Sequence, residues 1–389
     1  MMQKKVLTLA LAAGLAAPLT TLAENGNFTF YGKADLSYDS INTGDGTTLA
    51  NGSVTTTGVS KRVVSSNVSR FGFKGAEDLG DELSFIWQVE QQINIDDTAK
   101  NTFASRNTFA GLKSESLGTI LFGINDTPYK VATRKLDVFG DSIADNRALL
   151  GAPKAVSGTS VVAAGSGNTG ASAFAGASNQ GFELRPSNVL AYLSPTFAGV
   201  TASVATVNLR EQNYVSTDKK DSLLSMALMY DVAPFYGSLA RESHKLESAA
   251  AGAKESATRL GLGYSEGMFT VGLVYEKTSD NLGTAQADKF GHKTVYVNGK
   301  VNLGNNAVKL AYGKSGNLGS IANSSSNQAS IGYDHGLSKR TKLYAIYTKI
   351  SNGKGINYGF SQSSAAASSN SGGFGNSPSA LSLGVQHTF

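Results

Sequence analysis

The sequence predicts an all-β protein, a 16-stranded antiparallel transmembrane β-barrel, on three observations. The last nine residues alternate without a break: Leu381, Leu383, Val385, His387 and Phe389 share one face of an extended strand, and Ser382, Gly384, Gln386 and Thr388 share the other. The first 23 residues have the form of a secretory signal. Between these ends the apolar residues recur with a period of two, and no run of about 18 apolar residues follows Ala23. A half-apolar strand with one face toward lipid and one toward water hides in average hydropathy, which explains a mean value of only -0.13.

The signal places Lys4 and Lys5 ahead of an apolar stretch from Val6 to Leu19 and ends on Thr21-Leu22-Ala23. That stretch is too short to cross about 30 Å of hydrocarbon, and Pro18 interrupts it. A cleaved signal at 1–23 is expected, with export to the periplasm and a barrel domain over 24–389.

In the first segment of that domain Phe28, Phe30, Ala34, Leu36 and Tyr38 lie opposite Tyr31, Lys33, Asp35, Ser37 and Asp39. From Val68 to Gly75, Arg70 and Lys74 oppose Phe71 and Phe73, and from Leu83 to Ile95 the apolar set Leu83, Phe85, Trp87 and Val89 alternates with Ser84, Gln88 and Glu90. Continued along the chain, the rhythm places strands near 27–40, 65–77, 82–95, 104–114, 118–127, 187–196, 200–210, 221–232, 235–246, 256–266, 268–279, 293–303, 306–316, 327–337, 341–351 and 380–389. Short connections such as Gly80-Asp81 and Gly304-Asn305 alternate with long polar ones such as 41–64 and 352–379, the asymmetry of an outer-membrane barrel. One connection, 129–186, is far longer than the usual handful of residues, which marks it as functional or disordered. Its first half is charged, and its second half, 151–180, is mostly Ala, Gly, Ser and Val.

Composition closes several alternatives. The chain has no Cys, which removes disulfides and thiolate chemistry, and its net charge of +5 is too dispersed for nucleic-acid binding. Gly165-Ser-Gly-Asn-Thr-Gly170 matches a dinucleotide fingerprint but lacks the preceding strand and following helix. His244, His292, His335 and His387 show no metal-ligand spacing and assemble no catalytic pair, so neither an enzyme, a metal nor a cofactor is expected.

Ser69-Arg-Phe-Gly-Phe-Lys-Gly-Ala-Glu-Asp-Leu-Gly80, Tyr31-Gly-Lys33, Phe109-Ala-Gly-Leu-Lys113, Gly118 to Gly123, Gly332-Tyr-Asp-His-Gly-Leu-Ser-Lys-Arg-Thr341 and the Phe389 ending together resemble the general diffusion porins of Gram-negative outer membranes, in the proteobacterial branch related to neisserial-type porins. The resemblance runs the length of the chain after the signal. It implies a homotrimer of barrels in the cell outer membrane, surrounded by lipid and lipopolysaccharide. Each barrel would carry a long third loop folded into the pore, and small hydrophilic solutes and ions would diffuse through it. It further implies that Lys33, Arg70 and Arg106, joined by Arg185, form a basic wall at the constriction, that Asp137 and Asp141 face them from the loop, and that the strand ending at Phe389 is read by the barrel assembly machinery.

The parity of Lys33 and Arg70 supports this independently, since both fall on the polar face. The chain departs from the family where a Pro-Glu-Phe-Gly turn is common, carrying Asp137-Val-Phe-Gly-Asp141, and in the extension after Leu150. Rings of opposite charge around a narrow gap select ions, and the basic excess predicts a weak anion preference. A porin specialised for one solute class is the alternative function, an adhesin or wall-anchoring barrel a third, and a soluble all-β protein the alternative fold.

Overall fold

A computed structural model describes residues 28–46, 57–97, 103–151, 181–208, 222–245, 254–280, 291–319, 321–361 and 373–389. The expected signal, the fingerprint match at 165–170 and the Gly/Ala-rich stretch beyond Gly151 lie outside the described residues.

Every regular strand belongs to one antiparallel sheet that closes on itself. In chain order the strands are β1 (Phe28–Asn42), β2 (Ser60–Ser66), β3 (Arg70–Gly80), β4 (Leu83–Gln92), β5 (Thr108–Ser114), β6 (Gly118–Ile124), β7 (Val189–Leu193), β8 (Val200–Asn208) and β9 (Ser222–Val232). They continue as β10 (Phe235–Lys245), β11 (Lys254–Glu266), β12 (Phe269–Asp280), β13 (Lys293–Leu303), β14 (Asn306–Ser315), β15 (Ser326–Gly336), β16 (Thr341–Asn352) and β17 (Ser379–Thr388). Apart from β2 and β3, each pairs with its neighbours in sequence, and β1 closes the ring by pairing with β17 from Lys33↔Thr388 to Asn42↔Ser379. Seventeen segments make sixteen barrel strands because β2 and β3 are two halves of one, both paired with β1. Short turns gather at one end and long connections at the other; β1, β4, β6, β8, β10, β12, β14 and β16 run upward, from the short-turn end.

The polarity of the wall is inverted relative to a soluble protein. On β14, Leu310 and Tyr312 are 56% and 52% exposed, whereas Lys309, the residue before Leu310, is only 4% exposed. Apolar side chains therefore face out and polar ones face the lumen, as a barrel in lipid demands.

The break between β2 and β3 has a specific consequence. Leu36 pairs with Ser66 and Lys33 with Arg70, so the second strand holds one residue more than the first over this interval, which is a β-bulge at Asn67 to Ser69. Val68 there has φ 55, a left-handed conformation rare for a β-branched residue. The bulge is stitched to β1: the Asp35 N–H donates to Ser69 Oγ at 2.9 Å and the Asn67 N–H to the Asp35 carbonyl at 2.8 Å. Because side chains alternate with a period of two, one extra residue flips every following side chain to the other face. Arg70 thus enters the lumen directly opposite Lys33, and Phe71 and Phe73 turn to lipid.

The closing strand is secured at its end by aromatic contacts. Gly32 and Phe389 exchange backbone hydrogen bonds of 2.9 and 3.0 Å. The Phe389 ring lies 5.5 Å from Phe30 and 6.3 Å from His387, beside a patch that includes Phe28, Phe71, Phe73 and Trp87. The ring covers Gly32 so closely that a Cβ there would lie 2.3 Å from it. Phe389→Ala keeps the backbone ladder but loses an aromatic pair that contributes about 0.5–1.5 kcal/mol. Its expected outcome is a lower outer-membrane yield and a lower unfolding temperature on heat-modifiability gels; an unchanged yield would remove Phe389 from the assembly signal.

Candidate functional site

The described parts of the connection between β6 and β7, residues 125–151 and 181–188, lie against side chains of the barrel wall. Thr127 caps a short helix, α1 (Pro128–Arg134), by accepting from the Lys130 N–H, and Pro128 sits at the first turn where its missing N–H costs nothing. From there the segment runs along inward-facing side chains of successive strands. Tyr129 N–H donates to Ser225 Oγ on β9 at 3.0 Å, Tyr236 O–H on β10 to the Ala132 carbonyl at 2.6 Å, and Tyr129 O–H to Glu276 on β12 at 2.7 Å. Tyr296 O–H on β13 donates to Asp137 at 2.9 Å, and Gln328 on β15 donates to the Ala144 carbonyl at 3.3 Å. Leu136 rests on wall positions that must be glycine, since a Cβ at Gly261, Gly263 or Gly272 would lie 2.5–2.7 Å from a Leu136 atom.

A second anchor is the buried guanidinium of Arg259 on β11. It is ion-paired with Glu183 and Glu276, donates to Thr133 Oγ1 at 3.2 Å, and stacks on the Tyr129 ring at 4.3 Å. The Gly151 N–H donates to the second Glu276 oxygen at 2.9 Å, which holds the far end of the charged half of the connection.

Asp141 carries the opposite side of the segment to β1 and β3. Arg70 reaches it at 2.9 Å and Lys33 at 3.5 Å, and Arg134 and Arg147 from its own connection complete a set of four cations. Burial alone would raise the Asp141 carboxyl, but these four charges outweigh it and hold the group well below the ordinary carboxylate range. Lys33 also pairs with Asp35 at 3.3 Å. Arg106, which precedes β5, pairs with Glu90 on β4, and Glu90 lies 3.8 Å from Arg70. Asp145 closes the network with Arg147 and, at 3.7 Å, Arg134. Nearby, Asp126 bridges Arg185 at 3.0 Å and Lys130 at 2.9 Å. Burial pushes the Lys130 ammonium down to about 7, against the pull of Asp126.

Of the residues expected from sequence, Lys33, Arg70 and Asp141 meet directly, and Arg106 joins them through Glu90. Arg185 stands beside Arg106, held by Asp126 and by Asn107 at 2.7 Å. Asp137 does not reach this cluster. It accepts from Tyr296 O–H and from the backbone N–H groups of Phe139 and Asn146, both at 2.9 Å. Burial, and then the nearby Asp145 charge, push its carboxyl up to about 6.

The sequence reading did not assign Arg134, Arg147, Glu90, Asp126 and Asp35 to the site. Parity placed Glu90 and Asp35 on the lumen side; for Arg134 and Arg147 the sequence signal was only the charged composition of their segment. Among the described residues no group of three or more His, Asp or Glu could hold a metal ion, and no helix is long and apolar enough to cross a membrane.

A family model described as Gram-negative porin matches residues 8–355. Outer membrane porin protein 32 of Delftia acidovorans is 23% identical over 332 residues, covering 83% of this chain and 85% of the relative. Major outer membrane protein P.IB of Neisseria sicca is 27% identical over 313 residues, covering 74% and 79%. The fold matches the solved structure of an anion-selective porin from Comamonas acidovorans with a TM-score of 0.68 at 20% identity, over 93% of this chain and 99% of that one. The chain belongs to the Gram-negative porin family, and its barrel is a cell outer-membrane channel for passive diffusion of small hydrophilic solutes.

Proposed function

We propose that the 129–186 connection narrows this channel and that the charges gathered there give it a weak preference for anions. The observation that carries the reading is the charge balance of the two neighbouring networks. Lys33, Arg70, Arg106, Arg134 and Arg147 meet Asp35, Glu90, Asp141 and Asp145, and Arg185 and Lys130 meet Asp126. The network around Asp141 holds one cation more than it holds carboxylates, and the Asp126 network does so while Lys130 is protonated; farther along the connection Asp137 and the Arg259–Glu183–Glu276 anchor carry the opposite sign. A narrow conduit with low-dielectric walls focuses such an excess, while attraction stays weak enough for release. The printed description of the Comamonas acidovorans neighbour as anion-selective agrees.

Trimer assembly, signal cleavage, contact with lipopolysaccharide and recognition of the Phe389 strand by the barrel assembly machinery belong to the same reading. The upper outward positions of β1, among them Tyr38, Ser40 and Asn42, are uncharged, which suits a subunit contact. Residues 96–103, which would latch a neighbouring subunit in such a trimer, are only partly within the described residues.

Planar-bilayer reversal potentials in a KCl gradient are expected to show a small anion preference. Arg70→Gln combined with Arg134→Gln leaves three cations against four carboxylates around Asp141 and should move the potential toward cations; a cation preference in the unaltered protein overturns the assignment. Liposome swelling rates should fall smoothly with solute size, and saturation with one solute would identify a specialised porin instead.

Acidification gives a further expectation. A carboxyl raised above its ordinary value of 3.8 favours the docked segment when protonated, so this contribution is complete below that value and lost as pH rises through about 6. Protonation also removes one negative charge from the conduit. Anion preference should therefore rise as pH falls from 7.5 to 5, as Asp137 and Lys130 each gain a proton, and Asp137→Asn should keep only the part of the step that belongs to Lys130. A variant that keeps the full pH step would exclude Asp137 as its source.

A further inference from the structure

Between α1 and the barrel wall lies a partly open groove of about 100 Å³, room for several waters or for one slender organic molecule. Its lining comes from strands β3 through β9, which stand about 4.8 Å apart, so the groove is long and narrow. Its chemistry changes along its length. Toward β3 to β5 stand the guanidiniums of Arg70 and Arg106, joined by Arg134, which shares Asp141 with Arg70. Toward β7 to β9 the lining is hydrocarbon, with Pro128 and Val131 of α1 on one side and Ala191, Leu193 and Met229 on the other. Val131, Leu193 and Met229 keep part of their surface uncovered although they face the lumen, whereas Tyr129 and Ala132 of the same helix are sealed against the wall. Hydrocarbon beside water gains by being covered.

Both ends keep unused polar groups. Arg106 gives Nε to Glu90 and Nη1 to Gln92 at 3.2 Å, and Arg70 gives Nη1 to Asp141 and to the Val68 carbonyl. The Nη2 of each has no partner among the described residues. Asp126, the other carboxylate on the groove besides Glu90, is held by Arg185 and Lys130 and does not take up these donors. At the apolar end Ser203 on β8 is only 7% exposed, and its Oγ has no hydrogen-bond partner among the described residues. A buried hydroxyl in that state is costly, and a molecule lying in the groove relieves it.

We propose that this groove is a transient binding subsite for amphipathic monocarboxylates, solutes that carry one carboxylate on an unbranched hydrocarbon tail. The carboxylate takes the free Nη2 donors of Arg70 and Arg106, and the tail lies along Val131, Leu193 and Met229 toward Ser203. From β5 to β7 is two strand spacings, about 10 Å, which an extended chain of about eight carbons spans. The proposal rests on the reading of the 129–186 connection as the narrowing of the channel. Binding is weak enough for release, so inorganic ions and sugars pass without engaging the apolar strip.

The test is single-channel recording of the folded full-length protein in KCl at neutral pH, with acetate, butyrate, hexanoate or octanoate added at equal concentration. Octanoate should interrupt the current in resolved closures, and their duration should lengthen by up to about fourfold with each methylene added to the tail, the contribution of a buried methylene. Octylammonium, with an equal tail and the opposite charge, should give no closures. V131S/M229S should shorten octanoate closures on the order of 10-fold. An open channel without octanoate closures, closures that ignore tail length, equal closures with octylammonium, or an unchanged duration in V131S/M229S would each overturn the proposal. Should that variant fail to fold, S203F, which fills the apolar end from the wall, should abolish the difference between butyrate and octanoate, and a retained difference would overturn the proposal. Absence of any current from the unaltered protein would refute the channel reading instead. Saturation-transfer NMR of octanoate on the protein in nanodiscs then decides the groove separately: a signal that V131S/M229S loses supports it, and one that persists unchanged overturns it.

Discussion

An unpaired backbone N–H or C=O costs several kcal/mol in hydrocarbon, and this sets the terms for everything else in the molecule. A sheet can meet it only by having no edge, so the pairing of β1 with β17 is the contact on which the barrel depends. The reciprocal hydrogen bonds between Gly32 and Phe389 extend that seam to the end of the chain. With closure fixed, alternation does the rest: the face that meets lipid must be apolar, the other is free to be polar, and a lumen follows without any dedicated device.

That freedom creates a problem of aim, which the bulge at Asn67–Ser69 solves. A strictly regular second strand would send Arg70 into lipid and Phe71 and Phe73 into water. The extra residue corrects all three together, with Val68 held in a left-handed conformation at the point of correction. Asp35 holds the site in place, for its carboxylate also receives Tyr344 O–H at 2.8 Å and the Gln386 amide at 2.7 Å. The closing strand and the basic wall are therefore tied to one side chain. A change that disturbs closure at β17 is transmitted to the height at which Lys33 and Arg70 stand.

The strands were legible because period two is a local property that a single chain displays wherever one face is buried in lipid. Expected and observed limits agree within about two residues for most elements. The largest departures, the start of the second strand at Ser60 and of β5 at Thr108, arise where a bulge or a loop intervenes. Lys33 and Arg70 were legible for the same reason. The partners of Asp137 were not legible: whether an acid in the connection turns toward β1 or toward Tyr296 depends on how the connection lies against the strands around it, and no local pattern records that. Arg134 and Arg147 were hidden likewise, because a charged segment in a connection has the same composition whether it is docked or solvated.

Direct contact between the acids and bases changes how the site acts on ions. Separated rings would create a transverse field strong enough to sort cations and anions onto different paths. Here Asp141 touches Arg70, Arg134 and Arg147 at ion-pair distance, and Glu90 touches Arg106, so most of that field is spent within the pairs and little extends across the water. Under the proposed function, what remains is the uncompensated charge of the Asp141 network, which would act on a passing ion as a weak monopole. A monopole favours one sign without holding it, whereas separated rings would also orient dipolar solutes. A wall built this way fits unspecific conduction better than recognition, and its selectivity should be set by the balance of charges more than by their arrangement.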